Sequence, residues 1–295
     1  MKFDLHMHSC YSKDGELTCE ELMKKAKEKG LECIALSDHD GMRGIDEMIA
    51  LGKQYDIQVI PAMEFTTMFH DVTECHLLGY GMDYHAEYFV QLEKEIDDEM
   101  KQTFHKRVEK LEQYYGIHID KERVLKEAGN ENPWFLMCQY MFEDPNNAHI
   151  EAFEPYRKGG SRSDPAPVNF FWDCCQKGSP LYVETKLPSF HETVQKIHEA
   201  GGIAVLAHPA KAFYQREDLL QMALADGIEG LEVYSNYHEE EQVAYYRNYA
   251  LQHGLLMTCG SDFHGKHKPS IELGSYGVVE NSDALIASFL EKLNK

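Results

Sequence analysis

Cys33-Ile34-Ala35-Leu36-Ser37-Asp38-His39-Asp40 sets the reading of the whole chain. A run of four apolar residues reads as a buried strand, and it passes directly into a cluster of side chains able to ligate a metal. Toward the amino terminus the strand is preceded by an amphipathic stretch that opens on the capping box Thr18-Cys19-Glu20-Glu21 and runs to Gly30. Before that stands a second strand-like run from Phe3 to Leu5. Toward the carboxyl terminus further short apolar runs occur at Ile57 to Ile60, His76 to Tyr80, Ile203 to Ala207, Leu231 to Tyr234 and Leu255 to Cys259. Another amphipathic helix extends from His238 to about His253 before Gly254. Strands alternating with helices predict an α/β fold built on a parallel sheet or barrel.

The middle of the chain has a different period. From about Ala86 to Tyr115, apolar residues fall at Phe89, Leu92, Ile96, Met100, Phe104, Val108, Leu111 and Tyr115, the spacing of one long amphipathic helix. A further helix is expected from Asp120 to Ala128, then an irregular stretch with Gly159-Gly160, Pro165 and Pro167. Residues 86–180 therefore read as a mostly helical insert covering the active site, between barrel segments 1–85 and 181–295.

Composition narrows the function. With 43% hydrophobic and 27% charged residues the chain suits a globular protein with a substantial core. Its net charge, 29 − 50 = −21, disfavours a groove that tracks long nucleic acid, while a small anion stays compatible because bound cations would invert the local sign. Eight cysteines without a CxxC pair or a secretory segment ahead of them predict a reduced, cytoplasmic setting. The absence of a long apolar run predicts no membrane span.

The histidines carry the chemistry. In an extended backbone residues i and i+2 point to the same side, so His6 and His8, which close the first strand, can share one ion. His39 closes the second strand, Glu64 follows the third, His76 opens the fourth and His208 closes the fifth. Glu232 lies in the sixth, and Asp262 and His264 follow the seventh. Metal-binding side chains thus recur at the strand ends where barrel active sites are built. Any one of these histidines could be a satisfied structural imidazole; their repetition at successive strands argues for a cluster. His70, His85, His105, His118, His149, His191, His198, His253 and His267 lack the pattern. Imidazole mixed with carboxylate suits Zn, Mn or Fe better than Ca or Mg.

The stretches Asp4-Leu5-His6-Met7-His8-Ser9, Ser37-Asp38-His39-Asp40, Glu64, Ala207-His208-Pro209 and Gly260-Ser261-Asp262-Phe263-His264-Gly265 together resemble the successive motifs of the PHP (polymerase and histidinol phosphatase) family, in its small nucleotide phosphoesterase-like group. The resemblance implies a distorted (β/α)7 barrel with two to three divalent metal ions. By position it implies one ion on His6, His8, Glu64 and Asp262, a neighbour on Glu64, His76 and His208, and a third on His39, His264 and Asp14. Asp4, Asp38 and Glu232 are then expected to orient ligating imidazoles.

The implied activity is hydrolysis of a phosphomonoester or nucleotide-like phosphoester, through a hydroxide that bridges paired ions, with Asp262, His208 and Glu64 central to catalysis. An amide or lactone hydrolase of the same barrel class and a non-catalytic metal-binding module are the competing readings. Family members of the small phosphoesterase group often carry an Arg-Pro-His step in the insert. The aligned stretch here is Asn132-Pro133-Trp134-Phe135, so Trp134 is a candidate to stack on a substrate ring and Arg162 the nearest replacement cation for its phosphate.

Overall fold

In the computed structural model, residues 1–129, 132–279 and 281–295 are described, and the chain divides into two compact units, 1–93 with 187–295 and 94–186. The first unit is built on seven strands: β1 (Phe3–Met7), β2 (Cys33–Leu36), β3 (Gln58–Phe69), β4 (Thr73–Tyr80), β5 (Ile203–Leu206), β6 (Gly230–Ser235) and β7 (Leu256–Gly260). They lie side by side in chain order. The residues after β7 return to β1, where Asp262 N donates to His6 O at 2.8 Å and His8 N donates to Phe263 O at 3.0 Å. Those two bonds nearly close the sheet into a barrel.

Most strand residues are buried regardless of parity, because helices cover one face and barrel interior the other. The helix Cys19–Lys29 forms as its sequence signals predict. Thr18 and Glu21 make the reciprocal capping box, Gly30 ends it at φ 71°, and Leu22, Met23 and Ala26 face a core shared with Met7, Ile34 and Leu36. Glu239 caps the helix Glu240–His253 in the same way, with Gly254 at its end.

One strand departs from the parallel expectation. β4 runs antiparallel to both β3 and β5. Only residues 70–72 separate β3 from β4, whereas a parallel crossover needs about a dozen residues or more. β3 is also longer than its apolar run, since it changes partner along its length: Pro61 is its last residue paired with β2, and Ala62 its first paired with β4.

The second unit is helical. The long helix Glu87–Tyr115 begins before the division between units, which is why a boundary read from helical periodicity falls at 86 and the compact division at 94. Within residues 94–186, Phe104, Val108 and Leu111 pack with Val124, Met137, Met141, Phe142, Phe153 and Phe170. Asp120 caps Lys121–Ala128 and Asn132 caps Pro133–Glu143. The stretch expected to be irregular contains a helix, Ala166–Cys174, whose Phe170 is fully buried. Among the described residues no helix is long and apolar enough to cross a membrane.

Candidate metal centre

Glu64, fully buried on β3, is the hub of the barrel mouth. Its Oε2 lies 2.9 Å from His6 Nε2, 3.1 Å from His8 Nε2 and 3.4 Å from His39 Nε2. Its Oε1 lies 2.8 Å from His76 Nδ1 and 2.8 Å from His208 Nε2. Asp262 Oδ1 adds a second carboxylate oxygen at 3.2 Å from His6 Nε2 and 3.0 Å from His8 Nε2. His76 reaches this mouth because β4 is reversed: it lies midway along β4, one residue before the pairing with β5 begins at Leu77, and so stands level with Ala207 just past the end of β5. The rings of His6 and His208 are stacked with centroids 5.6 Å apart, so residues 202 positions apart share one cluster.

Among the described residues, three groups of donor atoms lie close enough for each to hold an ion: His6, His8, Glu64 and Asp262; His39, Glu64 and His76; and His8, Asp14, His39 and His264. The chemistry fits divalent cations. At metal–ligand distances of about 2.1 Å, neighbouring donors of an octahedron or tetrahedron are about 3.0 or 3.4 Å apart, the same spacing as the contacts around Glu64 and Asp262. In the third group Ser12 Oγ donates to Asp14 Oδ1 at 2.7 Å, leaving Oδ2 3.1 Å from His264 Nε2 and 3.6 Å from His39 Nε2. His264 Nδ1 lies 2.9 Å from Asp262 O, while its buried Nε2, though 3.1 Å from Asp14 Oδ2, is not aligned for a hydrogen bond. A buried polar nitrogen of that kind calls for a ligand. The groups differ from the ligand sets expected by position: His39 stands with Glu64 and His76 where His208 was expected, His208 falls in none of the three groups and meets Glu64 Oε1 at 2.8 Å, and His8 joins the group of Asp14.

Electrostatics divide the imidazoles. Burial alone would lower His6, His8 and His76, but Glu64, with Glu232 and Asp262 beside His6 and Asp262 beside His8, outweighs it and raises all three, a positive charge that a bound cation would replace. His39 and His264 are instead held neutral. Burial pushes His39 down to about 3, against the pull of Glu64 and Asp14, so its ring is neutral. His264 is lowered as well, by burial and by His8. Burial alone would raise the Glu64 carboxyl, but the imidazoles of His6, His39 and His76 outweigh it and hold it well below the usual range. Asp262 and Asp14 are held low against burial, the first chiefly by Lys268 and His264 and the second by His264 and His39. Asp40, His208 and Asp262 have left-handed backbone, with φ of 51°, 21° and 55°, a strain that clusters at functional sites.

The surrounding carboxylates divide their tasks. Glu232 holds His6 Nδ1 at 2.9 Å and accepts the His208 backbone N–H at 2.7 Å, so it orients an imidazole as expected. Asp4 and Asp38 do not. Asp4 accepts from the backbone of His6, Ser261 and Gly274, and Asp38 from the backbone and hydroxyl of Ser9, so both fix the main chain that carries the ligands. Two groups absent from the sequence reading also meet the cluster: Tyr237 OH and Lys268 Nζ donate to Asp262 Oδ2 at 2.5 and 2.6 Å.

The two substrate candidates of the helical unit have partners there. Trp134 is 5% exposed, its Nε1 donates to Pro167 O at 2.9 Å and its ring stacks on Phe170, so its geometry is that of a core residue rather than a free stacking surface. Arg162 forms a two-pronged pair with Asp173, at 2.9 and 2.7 Å, and its guanidinium is therefore engaged.

Comparison with known proteins gives a consistent picture. The sequence model of the PHP domain matches residues 4–140. A phosphoribosyl 1,2-cyclic phosphate 1,2-diphosphodiesterase of Eggerthella lenta is 28% identical over 89% of this chain and 94% of its own length. A 3′,5′-nucleoside bisphosphate phosphatase of Chromobacterium violaceum is 28% identical, covering 92% and 90%. A 5′-3′ exoribonuclease of Haemophilus influenzae is 26% identical, covering 89% and 90%. Among solved structures, one from Bifidobacterium adolescentis classed with the metal-dependent phosphoesterases aligns at a TM-score of 0.77 and 26% identity, over 98% of this chain and 96% of the other.

Proposed function

The chain belongs to the PHP family of metal-dependent phosphoesterases, and from that premise we propose that it hydrolyses a small, nucleotide-like phosphoester at a centre of two to three divalent ions. The ligands are His6, His8, Asp14, His39, Glu64, His76, His208, Asp262 and His264. One observation carries the reading: the two oxygens of buried Glu64 face different imidazole sets, His6 and His8 on one side, His76 and His208 on the other. A carboxylate engaged on both oxygens can join two ions roughly 3.5–4 Å apart, the spacing used in many phosphatases.

When bound, such ions supply Lewis acidity, lowering the pKa of water and holding phosphoryl oxygens. The protein contributes the geometry. Glu64 ties the two ligand sets together, Asp262 adds charge beside His6 and His8, and His208 completes the Glu64 Oε1 side. Glu232 keeps His6 and His208 in fixed relation. The mixed donors favour Mn, Zn or Fe.

The net charge of −21 supports a substrate that presents one phosphoester, a nucleotide or the terminal nucleotide of a short RNA, over a long polyanion held along a groove. Trp134 and Arg162, the substrate contacts expected from sequence, are both engaged within the helical unit. Eight cysteines without a disulfide among them suit a reducing compartment such as the cytoplasm.

Hydrolysis of a panel of nucleoside 3′,5′-bisphosphates, cyclic phosphates, sugar phosphates and 5′-phosphorylated oligoribonucleotides, with Mn, Zn or Fe added, tests the proposal, read as phosphate release from monoesters and as chromatography of the ring-opened or mononucleotide products from diesters. Amide and lactone substrates run alongside. Turnover should disappear on chelation and return with metal. Hydrolysis of amides or lactones by metal-loaded protein that cleaves no phosphoester bond in any member of the panel would overturn the reading.

A further inference from the structure

Asp262 presents its two oxygens to different surroundings. Oδ1 faces His6 Nε2 at 3.2 Å, His8 Nε2 at 3.0 Å and His264 Nδ1 at 3.5 Å. Oδ2 accepts from Tyr237 OH at 2.5 Å and from Lys268 Nζ at 2.6 Å. Tyr237 follows β6 and Lys268 follows β7, so two separate loops converge on one oxygen. The Lys268 ammonium also lies 5.3 Å from the centroid of the Tyr237 ring, which keeps the two donors together. The Asp262 main chain is pinned by its bond to His6 O, and the orientation of its carboxylate is left to these side-chain partners.

A carboxylate in a metal centre can give one oxygen to one ion, both oxygens to one ion, or one oxygen to each of two ions. Donors on Oδ2 oppose the last two arrangements. We propose that Lys268 and Tyr237 are positioning residues that restrict Asp262 to ligation through Oδ1 alone and so keep a coordination position open beside it. An open position is what distinguishes a catalytic metal site from a closed structural one. The Lys268 charge also draws density from the carboxylate, so Oδ1 donates less strongly and its ion remains a better Lewis acid. The inference rests on Asp262 being a metal ligand, as proposed above.

Cobalt(II) substitution tests it, because the intensity of the visible d–d bands falls as the coordination number rises to six. Wild type, Lys268→Met, Lys268→Arg and Tyr237→Phe are titrated with cobalt and assayed on the best substrate of the panel. Lys268→Met should bind as many ions as wild type with weaker absorption per ion, as Oδ2 fills the open position. Its kcat should fall by about 10–100-fold, the usual loss when a partner of a metal ligand is removed, with KM changed less than about threefold. Tyr237→Phe, which deletes one hydroxyl and keeps the ring, should move both readouts in the same direction by less, and Lys268→Arg should recover most of each. Wild-type spectra and kcat in both Lys268→Met and Tyr237→Phe would overturn the inference while leaving the ligand assignment intact. So would a raised KM with an unchanged spectrum, which would make Lys268 a substrate-binding group. Failure of wild type to take up cobalt would overturn the ligand assignment, and this inference with it.

Discussion

Gly260 ends β7 where no side chain fits. A Cβ there would lie 2.1 Å from His6 Cβ, 2.8 Å from His6 N and 2.9 Å from Glu232 Oε1. Ordinary carbon–carbon contact begins at about 3.5 Å, so an alanine requires β1 and β7 to separate by about 1.4 Å. No rotamer relieves the clash, since its nearest partners are a Cβ and a backbone nitrogen. Metal sites tolerate ligand displacements of only about 0.2 Å, so His6 would leave its place 2.9 Å from both Glu64 Oε2 and Glu232 Oε1. Overpacking of this kind costs about 1–3 kcal/mol, and at about 2–4 °C per kcal/mol the melting temperature should fall by about 2–12 °C. Gly260→Ala should therefore lose at least one bound ion by elemental analysis and about 100-fold or more in turnover, losses typical of a disturbed ligand shell. Gly254→Ala is the control. It ends a helix at φ 65° with nothing within 4 Å of a built Cβ, so the left-handed backbone should cost about 1–2 kcal/mol and leave metal content and turnover untouched. Wild-type metal content and turnover within twofold in Gly260→Ala would show that the seam has slack, and the reasoning would fail.

Three further outcomes are expected. His208→Ala should cut phosphate release by about 100-fold or more with an unchanged circular dichroism spectrum, because the ring sits at a partly open strand end; residual activity above a tenth of wild type would contradict its role. Trp134→Ala should destabilise the helical unit by about 3–5 kcal/mol in urea unfolding, the range for truncating a buried aromatic. An unchanged unfolding midpoint together with a raised KM would restore the ring-stacking role. Burial pushes the thiols of Cys19, Cys33, Cys75 and Cys175 up to about 12. Their reactive thiolate share therefore grows only as pH climbs toward that value, and native alkylation at pH 8 followed by peptide mapping should mark the partly exposed Cys10 and Cys174 first. Equal labelling of Cys33 would speak against the buried placement of β2.

The ligand types were legible because the period of a strand is rigid: His6 and His8 had to share a side, and chelating residues recurred at successive apolar runs. Strand direction was less so. His76 opened its apolar run while its counterparts closed theirs, and that asymmetry is the mark of the reversed β4, visible also in the short link at residues 70–72. Glu64 followed an apolar run that stopped at Ile60, since periodicity cannot follow a strand that exchanges one partner for another at Pro61. Lys268 and Tyr237 carried no signal, because a loop lysine and a loop tyrosine are commonplace and only the fold brings both to Asp262 Oδ2. Trp134 is ambiguous for a related reason: an aromatic in the first turn of a helix looks the same in sequence whether it faces a core or a ligand. The partner of Arg162, Asp173, sits on the helix Ala166–Cys174, hidden within a stretch whose glycines and prolines read as irregular.

The seam between β1 and the turn after β7 has a consequence for biosynthesis. Glu64 and His76 belong to one hairpin and can meet as soon as it has left the ribosome, but His8 and Asp262 are 254 positions apart. Contacts so distant in sequence form late, and during translation at about 5–20 residues per second the first strand waits on the order of ten seconds or more for the residues that complete its ligand set. Over that interval the emerging chain offers imidazoles and carboxylates without the geometry that selects among ions. Completion of the proposed metal centre is thereby deferred until β7 and His264 have been made, and truncation anywhere before that point leaves a barrel with an open side.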